Sequence, residues 1–219
     1  MTRIFDETDY LDSLRRSPKA VTIPKMELTP HTLFGIQIHK PHKRKGDWMQ
    51  TYTGVQFWPL DPRMEDVCIE DIAHSLSMQC RYAGHCIRFY SVAEHCVHLA
   101  MWAYQNGHAK EVALQMLMHD ASEAYLVDMP KPVKCSVVGY DEMEVRVMNV
   151  ICAKFNLPYK FDEIVKFADR QILHNEKKNM SHPPADWNIG GVGLDGVEIQ
   201  NWTPEIAEEK FIAAFQLFS

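Results

Sequence analysis

No stretch of this 219-residue chain approaches the ~20 consecutive apolar residues of a membrane helix, so a membrane-spanning protein is not expected. Its six cysteines include no C-x-x-C pair and no zinc-finger spacing, which argues against a cysteine-ligated zinc module or a thioredoxin-like centre. They read instead as small hydrophobes in a reducing compartment. Met1-Thr-Arg-Ile-Phe-Asp-Glu7 is too acidic and too poor in apolar residues for a signal peptide, and a cytoplasmic location is expected. Basic runs are also scarce. Net charge is −6, and beyond His42-Lys-Arg-Lys45 there is no cationic block, so nucleic acid, whose binding depends on phosphate neutralisation, is not an expected partner. Gly190-Gly-Val-Gly193 lacks the strand-then-helix setting of a phosphate loop.

What is present is a core. Hydrophobic residues make up 46% of the chain, and from Asp66 onward they recur at helical spacing. Ile69, Ile72, Ala73, Leu76 and Cys80 mark one helix, with Gly84 as its stop. Ser91-Val-Ala-Glu94 has the form of a capping box opening a second helix that runs to about Asn106-Gly107. A third is expected over roughly Ala109–Val127, halted by Met129-Pro130. Asp141-Glu-Met-Glu144 opens a fourth, closed by Asn156-Leu-Pro158, and a fifth follows over about 162–178. Thr203-Pro204-Glu205 starts the last. Residues 1–60 differ: Pro18, Pro24, Pro30 and Pro41 forbid a long helix, although a short one is possible around Asp9–Arg15. Gln50 to Trp58 reads as a small hairpin about Thr53-Gly54. The expected architecture is all-α: an N-terminal extension over 1–60, a helical core over 61–180, and a loop with a docking helix over 181–219.

Within that core, polar groups sit where apolar ones belong. Leu114-Gln-Met-Leu-Met118 leads directly into His119-Asp120, with Glu123 one turn beyond His119. His95 lies in the first turn after the capping box. Asp169 interrupts the apolar stripe of Val165, Ala168 and Ile172. A lone His-Asp pair is explained as a satisfied core histidine, but buried imidazoles and carboxylates arriving from three helices need a common compensation. Two imidazoles with two carboxylates suit a divalent transition metal better than Mg²⁺ or Ca²⁺.

His95, His119-Asp120 and Asp169, in that order and on helices, resemble the H…HD…D signature of the HD-domain phosphohydrolases. The likeness extends through Val92-Ala-Glu-His95, His119-Asp-Ala-Ser-Glu123, Asp128 and Pro130-Lys-Pro-Val-Lys134, about half the chain. The longer pattern is similar to the 5′-deoxynucleotidase branch and its phage-encoded relatives, some of them dATP triphosphohydrolases. The resemblance implies an HD-domain helical bundle holding one divalent transition metal (Co, Mn, Zn, Ni or Fe) through His95, His119, Asp120 and Asp169, with additional Mg²⁺ accompanying the phosphates. It makes Glu123 the residue that handles the attacking water and Asp128 the acid toward the leaving oxygen. Arg81, Tyr82 and Lys134 become substrate-binding residues. In the deoxynucleotidases a tryptophan follows the phosphate arginine; here Tyr82 stands there, and the Arg81–His95 spacing differs by about one residue, so sugar and phosphate-number preferences do not carry over. The expected partner is a small deoxynucleotide, dATP first, for a homo-oligomeric hydrolase. A dNMP-specific 5′-deoxynucleotidase is the near alternative, and an HD-type nuclease or a non-catalytic nucleotide sensor the distant ones.

Overall fold

The computed structural model describes residues 43–180 and 185–219, and all of these but Lys43 fall in one compact unit, Arg44–Ser219. The helix expected around Asp9–Arg15 lies outside the described residues. The body is helical, with one two-stranded antiparallel sheet. Its helices are α1 (Ile69–Met78), α2 (Val92–Gln105), α3 (Lys110–Met118), α4 (Glu123–Leu126), α5 (Lys131–Lys134), α6 (Tyr140–Lys154), α7 (Glu163–Glu176) and α8 (Pro204–Phe218). No helix of the described residues is long and apolar enough to cross a membrane. All six cysteines are free, Cys96 and Cys152 being buried as small hydrophobes.

Local chemistry sets the helix ends. Ser91 Oγ accepts from the Glu94 amide at 3.0 Å to start α2. Gly107 (φ +81°) closes it: the Gly107 amide reaches Tyr104 O at 3.1 Å and the His108 amide reaches Ala103 O at 3.1 Å, the paired bonds of a Schellman motif. Asp162 caps α7, and Thr203 with Pro204 opens α8. Ile72, Ala73 and Leu76 of α1, Cys96, Leu99 and Ala100 of α2, and Met116, Leu117 and Met118 of α3 are fully buried. α2 and α3 pack on each other and on α8, and α7 lies against both. The core thus brings the start of α2, the end of α3 and the middle of α7 together.

The hairpin pairs β1 (Met49–Gln50) with β2 (Gln56–Phe57), Met49 opposite Phe57. Two strands that short need tertiary support. Phe57 supplies it by stacking on Tyr125 at 4.0 Å, and Asp71 of α1 grips the turn, accepting from the Thr53 amide at 2.7 Å and its hydroxyl at 3.0 Å.

One expectation is corrected. The helix expected over Ala109–Val127 is broken: α3 ends at Met118 and α4 begins at Glu123. Between them the bonds tighten to the i→i+3 type, Ala121 N to Met118 O at 3.0 Å and Glu123 N to Asp120 O at 2.9 Å. The His119 ring occupies the Met116 carbonyl at 2.7 Å, an acceptor that the continuing ladder would use.

Candidate metal centre

α2 delivers His95, the end of α3 delivers His119 and Asp120, and α7 delivers Asp169. His95 Nε2 lies 3.4 Å from His119 Nε2, 3.7 Å from Asp120 Oδ2 and 3.3 Å from Asp169 Oδ1. His119 Nε2 lies 3.2 Å from Asp120 Oδ2 and 3.7 Å from Asp169 Oδ1. His95, His119 and Asp120 form a group that could hold a metal ion, and Asp169 sits against both rings of it.

Proton bookkeeping shows why the cluster calls for a cation. His119 Nδ1 faces the Met116 carbonyl, which can only accept, so the proton of the neutral ring is on Nδ1. His95 Nδ1 lies 2.6 Å from Glu176 Oε1, whose carboxyl is held below its usual range by Arg81 and His95 against the cost of burial. Both Nε2 lone pairs therefore point at each other and at two carboxylate oxygens. Four acceptors meet with no donor between them. Ligand atoms that each lie ~2.1 Å from one ion sit ~3.0–3.4 Å apart, close to the spacings here, and the two-nitrogen, two-oxygen set suits a transition metal. Protons are the only other remedy. Burial opposes them, yet the carboxylates still raise His119 well above its ordinary value, and Glu176 and Asp169 raise His95 against both burial and Arg81.

Glu176 was not singled out from sequence, and it is the hub behind the cluster. Fully buried, it accepts from His95 Nδ1, from Tyr90 OH at 2.8 Å, from Tyr82 OH, and from Arg81 Nη2 at 3.3 Å. A signal existed: Asp169, Ile172 and Glu176 share one core-facing stripe, so α7 carries two acids where apolar residues belong. A carboxylate behind a ligating imidazole fixes its tautomer and raises its basicity. Glu176→Ala should therefore weaken metal binding ~10–100-fold in titrations of the metal-stripped protein against a chelating dye. Unchanged affinity would limit Glu176 to holding Arg81 and the tyrosines.

Arg81 and Tyr82 reach Glu176 through a strained turn. Tyr82 (φ +58°) and Ala83 (φ +51°) are left-handed, an arrangement that costs non-glycine residues roughly 1–3 kcal/mol each and persists where surroundings enforce it. Arg81 Nη1 also lies 3.7 Å from Asp120 Oδ2, and its Nε is buried with no partner among the described residues. One donor is thus left over beside the cluster.

Glu123 opens α4, only 8% exposed, and its Oε2 has no partner among the described residues. Burial first, then the charges of Asp120 and Asp128, push its carboxyl up to about 10. Asp128, whose amide donates to Gln79 Oε1 at 2.8 Å, is raised by burial and by Asp120 against Arg81. Lys134 is ion-paired with Glu144 and lies 5.5 Å from the Tyr140 ring centroid, its ammonium feeling Glu144 most and Glu123 and Asp120 less. The structure therefore gathers His95, His119, Asp120 and Asp169 around one point, sets Arg81 beside Asp120 and Tyr82 on Glu176 behind it, keeps Glu123 and Asp128 within electrostatic reach, and ties Lys134 to Glu144. Among the other cationic and imidazole side chains of these segments, Arg88, Lys131 and His85 are exposed, and His98 serves Glu94.

Glu94 departs from its expected capping role. Its carboxylate does not reach back to Ser91; it accepts from the amides of Gln200 (2.7 Å), Asn201 (2.9 Å) and Trp202 (2.8 Å). The helix that presents His95 is thereby tied to the segment entering α8.

No family model matches the chain. It is 39% identical over 157 residues to the uncharacterized protein YfdR of Escherichia coli (strain K12), a match covering 72% of this chain and 85% of that protein. It is 37% identical over 129 residues to the uncharacterized protein RCAP_rcc00048 of Rhodobacter capsulatus, covering 57% of this chain and 66% of that one.

Proposed function

The chain belongs to the family of YfdR, and we propose that it is a metal-dependent phosphohydrolase of the HD-domain type acting on deoxynucleotides, in the first place a dATP triphosphohydrolase. The observation that carries this reading is the convergence of four acceptor atoms, from His95, His119, Asp120 and Asp169, with no donor between them. A divalent transition metal held by these residues (Co, Mn, Zn, Ni or Fe) would supply a Lewis acid for a phosphoryl oxygen and a water of lowered pKa.

The chain's own groups do the rest. Glu123 takes the proton of the attacking water on its unpartnered Oε2; the repulsion from Asp120 that raises its pKa falls once the Asp120 charge is neutralised. Arg81, with a spare buried N–H, binds phosphate oxygens. Asp128, raised by burial and held by Gln79, gives its proton to the leaving O5′. The bond broken joins the α-phosphorus to the sugar oxygen; the products are deoxyadenosine and tripolyphosphate. The resemblance in sequence supports the substrate class, and the net charge of −6 counts against a nuclease.

The test is chromatography of the products after incubation with Co²⁺ or Mn²⁺ and a panel of mono-, di- and triphosphates. Deoxyadenosine with tripolyphosphate from dATP is the expected result. Consumption of dAMP with dATP intact makes the protein a monophosphatase, and turnover of no phosphate ester removes the reading. Arg81→Ala should slow dATP turnover roughly 10-fold or more while the metal stays bound, the worth of one charge-assisted phosphate contact.

A further inference from the structure

A cavity of about 840 Å³ opens under the hairpin, between β1, α1 and α4. None of the four clustered metal-site residues lines it; it meets the cluster's surroundings at Glu123. We propose that this cavity is the subsite for the uncharged, planar part of the substrate, the nucleobase, with Glu123 marking the boundary between base and phosphate. The inference rests on the phosphohydrolase reading above.

Charge separates the two ends. The residues that line the cavity include no lysine or arginine, and its two carboxylates are Asp71 and Glu123. Asp71 is already occupied by Thr53 and by the Cys68 thiol at 3.1 Å. A phosphate chain would meet negative charge here and no cation, whereas Arg81 waits beside Asp120. The volume falls within the ~300–1,000 Å³ of small-molecule sites, and the walls are mainly apolar, as such sites are.

The walls also have the shape for a ring. Tyr52 stacks one face on His74, with centroids 3.6 Å apart and planes 9° from parallel, yet the residue is 61% exposed, so its other face is free. His74 is fixed in turn by Glu208 at 2.9 Å, and Thr53 on Asp71 pins the turn that carries Tyr52. The platform is held in place before anything binds. Half-exposed Met49 and Met78 line the same cavity, and their thioethers adapt to flat aromatic surfaces. At the rim Val127 holds φ +72°, a conformation a β-branched residue avoids, and Tyr140 OH bonds its carbonyl at 3.0 Å. Strain of this kind persists at ligand clamps, and it sits here between the Glu123 helix and Asp128.

Methionine methyl NMR tests the assignment without turnover. Deoxyadenosine titrated into the metal-stripped, methyl-labelled protein should shift Met49, Met78 and Met143, which line the cavity, and leave Met101 and Met148 in place. Tripolyphosphate should leave all five unmoved. Tyr52→Ala should weaken nucleoside binding about 10-fold, the scale of one lost base–aromatic stack, while Tyr52→Phe preserves it. Met78→Glu, at a half-exposed position that tolerates charge, should weaken it as well. In the metal-loaded enzyme Tyr52→Ala should raise KM for dATP with kcat little changed. Active wild-type enzyme whose cavity methyls ignore the nucleoside, or whose KM ignores both substitutions, overturns the subsite and leaves the phosphohydrolase standing. Nucleoside binding through Tyr52 in a protein that hydrolyses no phosphate ester supports the cavity's ligand class and overturns the activity instead.

Discussion

Asp120→Ala should empty the candidate metal centre and, with it, abolish phosphohydrolase turnover. Wild-type protein purified without chelator should carry about one transition metal per chain. Four acceptor atoms from His95, His119, Asp120 and Asp169 converge with neighbouring spacings of 3.2–3.7 Å, and each protein ligand removed exposes the rest to uncompensated repulsion and burial. Asp120 has a second task, since its carboxylate also faces Arg81, so its loss leaves that cation beside an open cavity. His119→Ala should behave alike for a different reason: it removes an Nε2 ligand and also releases the Met116 carbonyl that shapes the α3 end. Elemental analysis of the purified variants decides the matter, and full metal occupancy in both would move the site away from these helices.

The helices were legible because their information is local. Ile69 to Leu76 repeat at the helical period, Ser91 caps the amide three residues on, and Gly107 and Asn156 take up left-handed conformations where the second and fourth expected helices would otherwise run on. His95, His119, Asp120 and Asp169 could be singled out because each is a polar residue on an apolar face. Their mutual distances could not, since the contacts span up to three helices and depend on how α7 rests on α2 and α3. Glu176 escaped notice and Glu94 was given a capping role for the same reason: their partners lie 81 residues away at His95 and 106 away at Gln200. The glycine run at 190–193 illustrates a different gap. The missing strand-then-helix setting argued against a phosphate loop, but the role of the glycines lies in long-range packing, in which a Cβ at Gly191 would come within 2.3 Å of Gln171 Oε1 and one at Gly193 within 2.6 Å of Asn175 Oδ1. Those two side chains hold the loop through Gly190 O, Leu194 and Val197 O. The break between α3 and α4 was hidden because its cause is a side chain competing for a backbone carbonyl, which no periodicity reports.

Glu123→Gln should lower turnover by ~10²–10⁴ while metal content stays near that of the wild type, the range expected for losing one positioned proton acceptor. Gln preserves the shape of the side chain and removes only its basicity, so the substitution separates chemistry from packing. A second, opposite effect should accompany it. In the metal-free protein, burial together with the charges of Asp120 and Asp128 pushes the Glu123 carboxyl up to about 10. The unfolded chain releases that proton near an ordinary value of ~4.3, whereas the folded chain keeps it until about 10. The folded state therefore binds more protons than the unfolded one across that window, and this group's contribution to stability falls as pH rises through it. Gln has no proton to retain. Metal-stripped Glu123→Gln should accordingly melt above metal-stripped wild type at pH 8, with the gap closing toward pH 4. Thermal melts at the two pH values, beside turnover of the metal-loaded proteins, provide both readouts. A variant slower and yet more stable identifies Glu123 as a group kept for chemistry at the expense of the fold; wild-type turnover with lowered stability would make it a structural carboxylate.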